Sequence, residues 1–416
     1  MNLSGGIYTT MKNTNRLEII GILSLSLMLT STFAISSCLP EMMNTFHEYD
    51  RSSVEFLVSS TTFSVILMIA LTPILSRYLS ERFMIVSGLL IYGVCGTAPF
   101  FLTSYPMILA SRIVMGLGVG MVNAKAVSII GERFSGDLRS RLLGIRCSME
   151  TIGQTVLMFA VGQLLHLGWN YAFLIYIAAF LILIIYLAFV PAKKQRQSME
   201  SCTVDSDDQP CSGVSPSEAR EKKQAKISKK DCMIILFYAL FGFTLVSASS
   251  VNNLRITTYI VDTGIGAATD GATILSVAVF FGFLGGLAFG KLMEKLGDLV
   301  LPPVLLGVTV GMTAIGFASN LALVAFGACI CNFCITLATS YMFNGLSEQL
   351  STEALGIGNS IVLVGCNLGA CTISFVLQAI NLISPELTTG FFFYAVLYLI
   401  LAVGFFVKSG RIILKH

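Results

Sequence analysis

Residues 107–130, MILASRIVMGLGVGMVNAKAVSII, form an apolar run, and residues 131–146, GERFSGDLRSRLLGIR, follow it with four arginines. A run of about 20 apolar residues crosses the hydrocarbon core of a bilayer, roughly 30 Å thick, as one helix. Hydrophobic residues make up 55% of the 416-residue chain and charged residues only 12%. Soluble domains carry about a quarter charged residues. The pattern predicts an all-α membrane protein.

Apolar runs of this kind recur along the whole chain, and we number the predicted membrane-spanning segments as spans 1 to 12. Their boundaries are 18–38, 54–76, 83–103, 107–130, 143–165, 171–191, 232–256, 272–293, 301–319, 321–344, 355–381 and 388–408. An even number of spans places both termini on the same side of the membrane.

Lys and Arg are confined almost entirely to alternate gaps between the spans. Of the 26 basic residues, Arg51 lies in a gap of the opposite set, and Arg112, Lys125 and Arg255 lie within or at the end of spans. Basic residues near short loops resist translocation across the membrane. The basic gaps and both termini are therefore predicted to be cytoplasmic, in a multi-pass protein of the cytoplasmic (plasma) membrane.

Two gaps differ from the others. The gap after span 10 lies on the basic side but holds Glu348 and Glu353 and no Lys or Arg. Residues 193–231 form a polar segment with nine basic and seven acidic residues. Because such a segment cannot bury enough apolar area to fold alone, we predict a cytoplasmic linker. The linker divides the chain into two predicted six-helix bundles, residues 1–192 and 232–416.

Residues that would point to catalysis or metal binding are lacking in the sequence. Cys329, Cys331 and Cys334 lie close together, but no His or fourth Cys accompanies them at zinc spacing, which favours packing between helices. The sequence contains no phosphate-binding loop and no Ser/His/Asp constellation. We predict no enzymatic activity, no cofactor, no metal and no nucleic-acid partner.

The two halves of the chain repeat one another. Residues 72–79, TPILSRYL, follow span 2, and residues 290–297, GKLMEKLG, follow span 8, 218 positions later. The sequence Leu-Gly-Ile starts span 5 at residue 143 and span 11 at residue 355. Two six-helix repeats around a linker are typical of transporters that hold their solute between the halves, near the membrane midplane.

The repeated loop resembles a signature of the major facilitator superfamily, G-x-L-x-D-R-x-G-R-R between helices 2 and 3. The second-half copy has Glu294 and Lys295 in place of the Asp and Arg, and the first-half copy keeps Arg77 but has Ser76 in place of the acid. The resemblance implies a charged gating loop that contacts neighbouring helices in the outward-open state. The substitution at Ser76 removes part of that contact from the first half.

Further motifs extend the resemblance over essentially the whole chain. Residues 112–120, RIVMGLGVG, are similar to the R-x-x-x-G-x-G-x-G motif of helix 4. The loop with Arg139 and Arg141 and the segment 168–173, GWNYAF, also resemble family features. The resemblance implies a fold of 12 transmembrane helices in two six-helix pseudo-repeats. It adds Arg139 and Arg141 to the gating residues Arg77, Glu294 and Lys295.

Arg112 is the first candidate for solute binding, because an ionisable group inside the membrane usually faces a cavity or a partner. At 100° per residue, Arg112, Gly116, Gly120 and Asn123 share one face of helix 4. Two interpretations stay open. Arg112 binds solute or takes part in proton coupling in the cavity, or it clamps the fold by donating to carbonyl groups at a helix end.

Glu150 and Lys125 are the candidates for proton coupling. Glu150 is the carboxyl group that we place well inside a span, and Lys125 lies at a similar depth in helix 4. Two arrangements are open: an ion pair between Lys125 and Glu150 across helices 4 and 5, or pairing of Glu150 with Arg146, four residues earlier on its own helix.

Polar residues on spans 1, 7 and 10 complete the predicted solute site, since the family lines its central cavity with helices 1, 4, 7 and 10. The predicted solute-binding residues are Ser31, Arg112, Asn123, Asn252, Asn253, Asn332 and Thr336. Such side chains also bond between helices or to their own backbone, and this alternative stays open. Arg255, at the end of span 7, is expected to extend to the outer interface.

We predict a monomeric secondary active transporter that works by alternating access, with the bilayer, a small-molecule solute and protons as partners. The first hypothesis for its activity is proton-coupled efflux of an amphiphilic compound or drug. Uptake or exchange of an organic anion is the alternative, because the drug/proton antiporter motif of helix 5 is incomplete. There, Leu157, Met158 and Val161 stand where Gly, Pro and Gly are expected. A membrane receptor or scaffold without transport is the alternative of another class.

Overall fold

The computed structural model describes residues 17–76, 78–134, 136–190 and 228–413, and nearly all of this part of the chain is helical. No strand occurs within these ranges. The all-α fold predicted from the sequence is confirmed. We number the helices α1 to α12 in the order of the predicted spans.

Each predicted span has a helical counterpart in the described residues. The first six helices are α1 (Leu17–Thr45), α2 (Arg51–Leu75), α3 (Glu81–Thr97), α4 (Tyr105–Arg133), α5 (Gly136–Leu164) and α6 (Trp169–Phe189). The last six are α7 (Lys229–Asp262), α8 (Ala268–Leu296), α9 (Leu301–Gly316), α10 (Leu321–Gln349), α11 (Thr352–Cys371 and Ile373–Asn381) and α12 (Thr388–Ile413).

The helices differ in how well each could cross a membrane alone. Within the described residues, nine helices are long and apolar enough, and a tenth is counted if the two segments of α11 form one span with a bend of 50°. Leu301–Gly316 is apolar but shorter, and Gly136–Leu164 carries a cluster of charges in its first half. The protein is therefore a multi-pass membrane protein, and the number of twelve crossings stays a prediction.

Helix packing repeats with an offset of six helices. In the first half, α2 and α3 both pack on α4, α1 packs on α5, and α3 packs on α6. In the second half, α8 and α9 both pack on α10, α7 packs on α11, and α9 packs on α12. The halves meet where α5 packs on α8 and α2 packs on α11. The two pairs are equivalent to each other, because α5 corresponds to α11 and α2 to α8, as expected for two related bundles.

Several glycines lie where two helices approach closely. A Cβ atom on Gly116 would overlap the carbonyl oxygen of Thr61 on α2, and one on Gly285 would lie 2.6 Å from the carbonyl oxygen of Phe333 on α10. A Cβ atom on Gly290, near the C-terminal end of α8, would meet no atom within 4 Å. The close contact of α8 with α10 therefore does not extend to the last turn of α8.

The two ends of the bundle carry opposite charge. We call the end with Arg133 and Lys295 the basic end, and the end with Asp50, Asp262 and Glu386 the acidic end. Charged residues from different helices meet at each end: Arg133 pairs with Glu18 and Glu81 at the basic end. The helix ends predicted to share one side of the membrane are thus adjacent in space.

Two predicted boundaries differ from the structure. The predicted linker, 193–231, lies outside the described residues except for its last four, and α7 already begins at Lys229. α5 begins at Gly136, so the segment with Arg139 and Arg141, predicted as a loop, is helical. In both places a helix extends beyond its apolar run into polar sequence, because a helix can continue past the bilayer surface. The division of the chain into bundles 1–192 and 232–416 stays a prediction.

Candidate functional site

Arg112 lies in α4 and is completely buried. Its Nε donates to the carbonyl oxygen of Leu57 on α2 at 3.3 Å, and Nη2 donates to the carbonyl oxygen of Thr32 on α1 at 2.9 Å. Nη1 donates to the hydroxyl of Tyr176 on α6 at 3.0 Å. One guanidinium thus joins α4 to three other helices of the first half. In this conformation, the geometry is that of the clamp interpretation.

The carbonyl group of Thr32, which Arg112 reaches, belongs to an irregular stretch of α1. The helix is wound as 3-10 turns over Leu25–Met28 and Ser31–Cys38. Tyr92 donates to the carbonyl oxygen of Met28 at 2.8 Å, and the Ser31 hydroxyl donates to the same oxygen at 2.7 Å. Ser31 also contacts the Tyr92 hydroxyl. The predicted solute-binding residue Ser31 is therefore bonded within the first half, where 3-10 winding leaves carbonyl groups available to side-chain donors.

Glu150 pairs along its own helix and not with Lys125. Its Oε1 lies 2.8 Å from Nη2 of Arg146, and the same nitrogen donates to Oδ1 of Asn123 on α4 at 2.9 Å. Thr30 of α1 donates to the backbone carbonyl of Glu150 at 3.2 Å. The structure thus has the second of the two predicted arrangements. It brings Asn123, Arg146 and Glu150 together between α4 and α5.

Lys125 is separate from this cluster of charges. Its side chain is 8% exposed, and within the described ranges no hydrogen-bond or ion-pair partner reaches its ammonium group. A buried cation without a partner is costly, so such a group usually faces water or a ligand. Among the buried cations of the described ranges, Lys125 is therefore the one whose charged group has no protein partner.

A buried ion pair that the sequence reasoning missed joins the two halves. Nε of Arg255 on α7 lies 2.7 Å from Oε1 of Glu55 on α2, and Nη2 donates to Oε2 at 3.5 Å. Both side chains are 0% exposed. The expectation that Arg255 extends to the outer interface is wrong, because a carboxylate on the other half neutralises it inside the protein. Besides Glu150, Glu55 is thus a second carboxyl group that lies within a predicted span.

A second ion pair lies nearer the acidic end, four residues away along α2 and seven residues away along α7. Nη2 of Arg51 on α2 lies 2.8 Å from Oδ2 of Asp262 on α7, and both side chains are more than a third exposed. Because α2 and α7 run in opposite directions, the pairs Arg51–Asp262 and Glu55–Arg255 form two rungs between them. We call these four residues the α2–α7 ladder.

Further contacts between the halves lie on the side of the ladder that faces the membrane interior. The hydroxyl groups of Ser59 on α2 and Ser374 on α11 are 2.8 Å apart. Ser276 on α8 donates to the carbonyl oxygen of Thr155 on α5 at 2.8 Å. Phe56 and Phe375 pack with their ring centroids 5.5 Å apart. The acidic end of the interface between the halves is therefore closed in this conformation.

The predicted polar residues of the second half do not converge on one point. Asn252 is completely buried beside Cys331 of α10, and Asn253 is nearly buried. Asn332 donates to the carbonyl oxygen of Ala328 on its own helix at 3.1 Å. Thr336 lies against α8, where a Cβ on Gly282 would come within 3.0 Å of its hydroxyl. Their role in solute binding stays a prediction.

The predicted gating residues are only partly described. Arg77 lies outside the described residues, as do the side chains of Arg139 and Arg141. Glu294 and Lys295 are exposed in the last turns of α8, and they make no ion pair with a described residue. A charge lock in this loop is expected in another conformation, so their gating role stays a prediction.

A cavity of about 670 Å³ lies at the basic end of the second half. The described lining comes from α7, α8, α9, α10 and α12 and is rich in aromatic and Met side chains. The cavity was not anticipated from the sequence, because it combines the ends of helices that are far apart along the chain.

A family model of the Major Facilitator Superfamily matches residues 21–374. The chain belongs to the Major Facilitator Superfamily. The resemblance drawn from the loop and helix-4 motifs is thereby confirmed. The family consists of transporters, and the protein is accordingly a transporter of this type.

Solved structures of Major Facilitator Superfamily transporters superpose on nearly the whole chain. A D-xylose-proton symporter has a TM-score of 0.70 and 17% identity, and it covers 93% of this chain and 96% of its own. The nucleoside transporter NupG has a TM-score of 0.69, 12% identity and coverage of 95% and 98%. A POT family transporter in complex with 5-aminolevulinic acid has a TM-score of 0.72, 12% identity and coverage of 96% for each chain. At these identities, the likeness shows the fold alone.

One curated relative matches a part of the chain. The Myo-inositol transporter 1 of Cryptococcus neoformans var. grubii serotype A is 29% identical over 123 residues. The matched region is 28% of this chain and 21% of that transporter. The chain thus spans about a fifth of the length of this relative.

Proposed function

We propose that the protein moves a small organic solute across the cytoplasmic membrane by alternating access, with the ladder as the gate at the acidic end. The observation that carries the proposal is the Glu55–Arg255 pair, fully buried between the two halves. A fully buried pair costs desolvation energy and is weak evidence of a purely stabilising role. Such a pair suits a gate, because its charges are stable in both states. In the closed state they neutralise each other, and in the open state water hydrates them.

The arrangement of the ladder supports opening at this end. The outer rung, Arg51–Asp262, is exposed and contributes about 1 kcal/mol or less, as surface pairs do. The inner rung excludes water and holds the halves in register. Separation of α2 from α7 breaks both rungs together and exposes four charged groups to solvent. The acidic end then offers a polar mouth to a solute.

The test is a flux measurement in proteoliposomes with a gate that can be locked. In the variant Arg51→Cys/Asp262→Cys, a short crosslinker joins the two new thiols through disulfide bonds. Reduction later cleaves these bonds and releases the gate. Uptake of tetraphenylphosphonium, myo-inositol and lactate is measured before crosslinking, after it and after reduction. We expect at least one probe to move faster than in empty liposomes, to stop on crosslinking and to move again on reduction.

The single variants Arg51→Cys and Asp262→Cys, treated with the same crosslinker, control for reaction at native cysteines. Flux that continues through the crosslinked gate would contradict alternating access at the ladder. If no probe moves in any preparation, the receptor or scaffold hypothesis is favoured over transport.

For the solute, we propose proton-coupled efflux of an amphiphilic compound. The aromatic cavity at the basic end supports this class, since apolar, aromatic walls suit amphiphiles. Proton coupling is assigned to Glu150, the carboxylate between α4 and α5. An imposed pH gradient across the proteoliposome membrane tests the coupling, because it should drive the probe against its own concentration gradient. The proposal places both termini in the cytoplasm and treats the monomer as the transporting unit.

A second candidate, uptake or exchange of an organic anion, is favoured by Lys125. Its buried ammonium group has no partner among the described residues and could bind a carboxylate. This candidate is favoured if the wild type transports lactate but not tetraphenylphosphonium, and if Lys125→Gln abolishes lactate transport. The partial match to a myo-inositol transporter makes myo-inositol the neutral probe in the same assay.

A further inference from the structure

The cavity at the basic end has an unusual combination of walls. The lining residues that carry its chemistry are Phe237, Phe241, Asn344, Glu348, Gln349 and Phe405. These residues belong to helices of the second half, so the cavity is distinct from the closed interface at the acidic end. Its volume of about 670 Å³ is in the range of small-molecule sites, roughly 300–1,000 Å³.

Three phenylalanines form one wall of the cavity. Phe237 and Phe241, one turn apart on α7, have parallel rings with centroids 6.4 Å apart and an interplanar angle of 7°. Phe405 of α12 lies 6.1 Å from each of them. All three rings line the cavity. The wall therefore offers aromatic side chains to a ligand.

Glu348 supplies the charge of the cavity. The other described lining residues are uncharged. Oε1 of Glu348 accepts a hydrogen bond of 2.8 Å from Nδ2 of Asn344. Gln349 donates to the Tyr238 hydroxyl at 2.9 Å and ties α10 to α7 beside it. The carboxylate is thus oriented by a neighbour but is not neutralised by a described cation.

This carboxylate also departs from the charge pattern of the sequence. The gaps on the predicted cytoplasmic side are basic, and the gap after span 10 is acidic. The positive-inside rule is weak for acidic residues and gives no reason for Glu348. A role in binding gives one, since a carboxylate beside aromatic rings attracts a cation and repels an anion.

We propose that the cavity is a binding site for a hydrophobic organic cation, held by the three phenylalanine rings and by Glu348. Aromatic faces attract cations through their quadrupole, and organic ammonium groups are the ligands best suited to such walls. The role of this site in the cell rests on the proposed function. If the protein exports cationic amphiphiles, the cavity binds them at the cytoplasmic entrance before transport.

The test is equilibrium binding of radiolabelled tetraphenylphosphonium to the purified full-length protein in detergent. Tetraphenylborate, which has almost the same shape and the opposite charge, is the matched competitor. We expect it to compete at least tenfold more weakly than unlabelled tetraphenylphosphonium. This comparison uses the unmodified protein, so it does not depend on whether a variant folds.

Variants then assign the charge and the wall. Glu348→Gln should weaken tetraphenylphosphonium binding by about tenfold, the factor for loss of about 1.4 kcal/mol. Phe405→Leu, which removes a ring but keeps the site apolar, should weaken it several-fold. Glu386→Gln, an exposed carboxylate at the acidic end, is the control and should leave the Kd unchanged. Gel filtration confirms that each variant is folded.

The outcomes separate this site from the transport proposal. Equal Kd values for wild type and Glu348→Gln, or equal competition by the borate, would overturn the cation site. Binding that depends on Glu348, in a protein that moves no probe in proteoliposomes, would support the site and contradict transport. Flux of the cation without such binding would overturn the site and leave the transport proposal intact.

Discussion

Glu55→Gln should open the acidic end of the protein. The substitution keeps the shape of the side chain but removes the charge that faces Arg255, whose guanidinium is 0% exposed. In the closed state, Arg255 is then a buried charge with no carboxylate. In the open state, it is hydrated and loses nothing. The substitution therefore destabilises only the closed state and shifts the equilibrium between the two.

The magnitude follows from the burial of the pair. Removing one partner of a buried ion pair typically costs about 3–5 kcal/mol. With about 1.4 kcal/mol per factor of ten, the ratio of open to closed protein rises by roughly 10²- to 10⁴-fold. Arg255→Gln should have a smaller effect, because Arg51, one turn away on α2, lies within electrostatic range of the remaining Glu55. Glu55→Gln/Arg255→Gln leaves no charge unpaired and should recover most of the closed population.

The assay is a distance measurement by electron paramagnetic resonance on the reconstituted protein. Spin labels at Glu48→Cys and Glu386→Cys lie on exposed positions at the acidic end, one on each half. Asp262→Asn is the matched control, since its pair is 36% and 40% exposed and should contribute about 1 kcal/mol or less. We expect a longer label-to-label distance in Glu55→Gln, and little change in the control.

An unchanged distance distribution in Glu55→Gln would refute the reasoning, because the buried pair would then not hold the gate. A change of equal size in Asp262→Asn would refute it in another way. It would mean that the exposed rung, and not the buried one, sets the equilibrium.

Three further predictions concern other parts of the protein. Gly153→Ala should lower the free energy of unfolding by about 1–3 kcal/mol, because a Cβ atom there would overlap the carbonyl oxygen of Leu27. Gly290→Ala should leave this free energy unchanged, because a Cβ atom there would meet no atom within 4 Å. Thermal melts in detergent compare the two variants. Arg112→Lys should lower the melting temperature nearly as much as Arg112→Ala, because an ammonium group cannot reach three helices as a planar guanidinium does, and rescue by Lys would contradict the clamp. Glu150→Gln should abolish the response of solute flux to an imposed pH gradient, and a response equal to that of wild type would exclude Glu150 from proton coupling.

Much of the fold could be predicted from the sequence, because membrane helices obey strong local constraints. Every backbone polar group must be bonded inside the bilayer, so each long apolar run forms a helix. Helix ends were harder to predict. The first turns of α5 contain Arg139 and Arg141, and α7 begins at Lys229, because hydropathy marks where the bilayer ends and not where the helix ends.

The site was predicted less well, because it depends on which side chains meet across the bundle. Arg112 was placed inside the membrane from the sequence, but its hydrogen-bond partners on other helices lie 55, 64 and 80 residues away along the chain. Glu55 was missed because it lies in the first turn of a predicted span, where a charge usually reaches water. The available signal was an unpaired Arg255 near the outer end of span 7. A charge at that depth calls for an opposite charge on an adjacent helix.

The order of charges along the ladder explains how α2 and α7 find their register. α2 carries Arg51 and then Glu55 towards the membrane interior, and α7 carries Asp262 and then Arg255 in the same direction. A shift by one rung would place Arg51 against Arg255, or Glu55 against Asp262. Each of these alignments sets a like charge against a side chain that is buried in the closed state, so the ladder favours one alignment over its neighbours. In the proposed transport cycle, the same order of charges would guide the halves back to the same closed state.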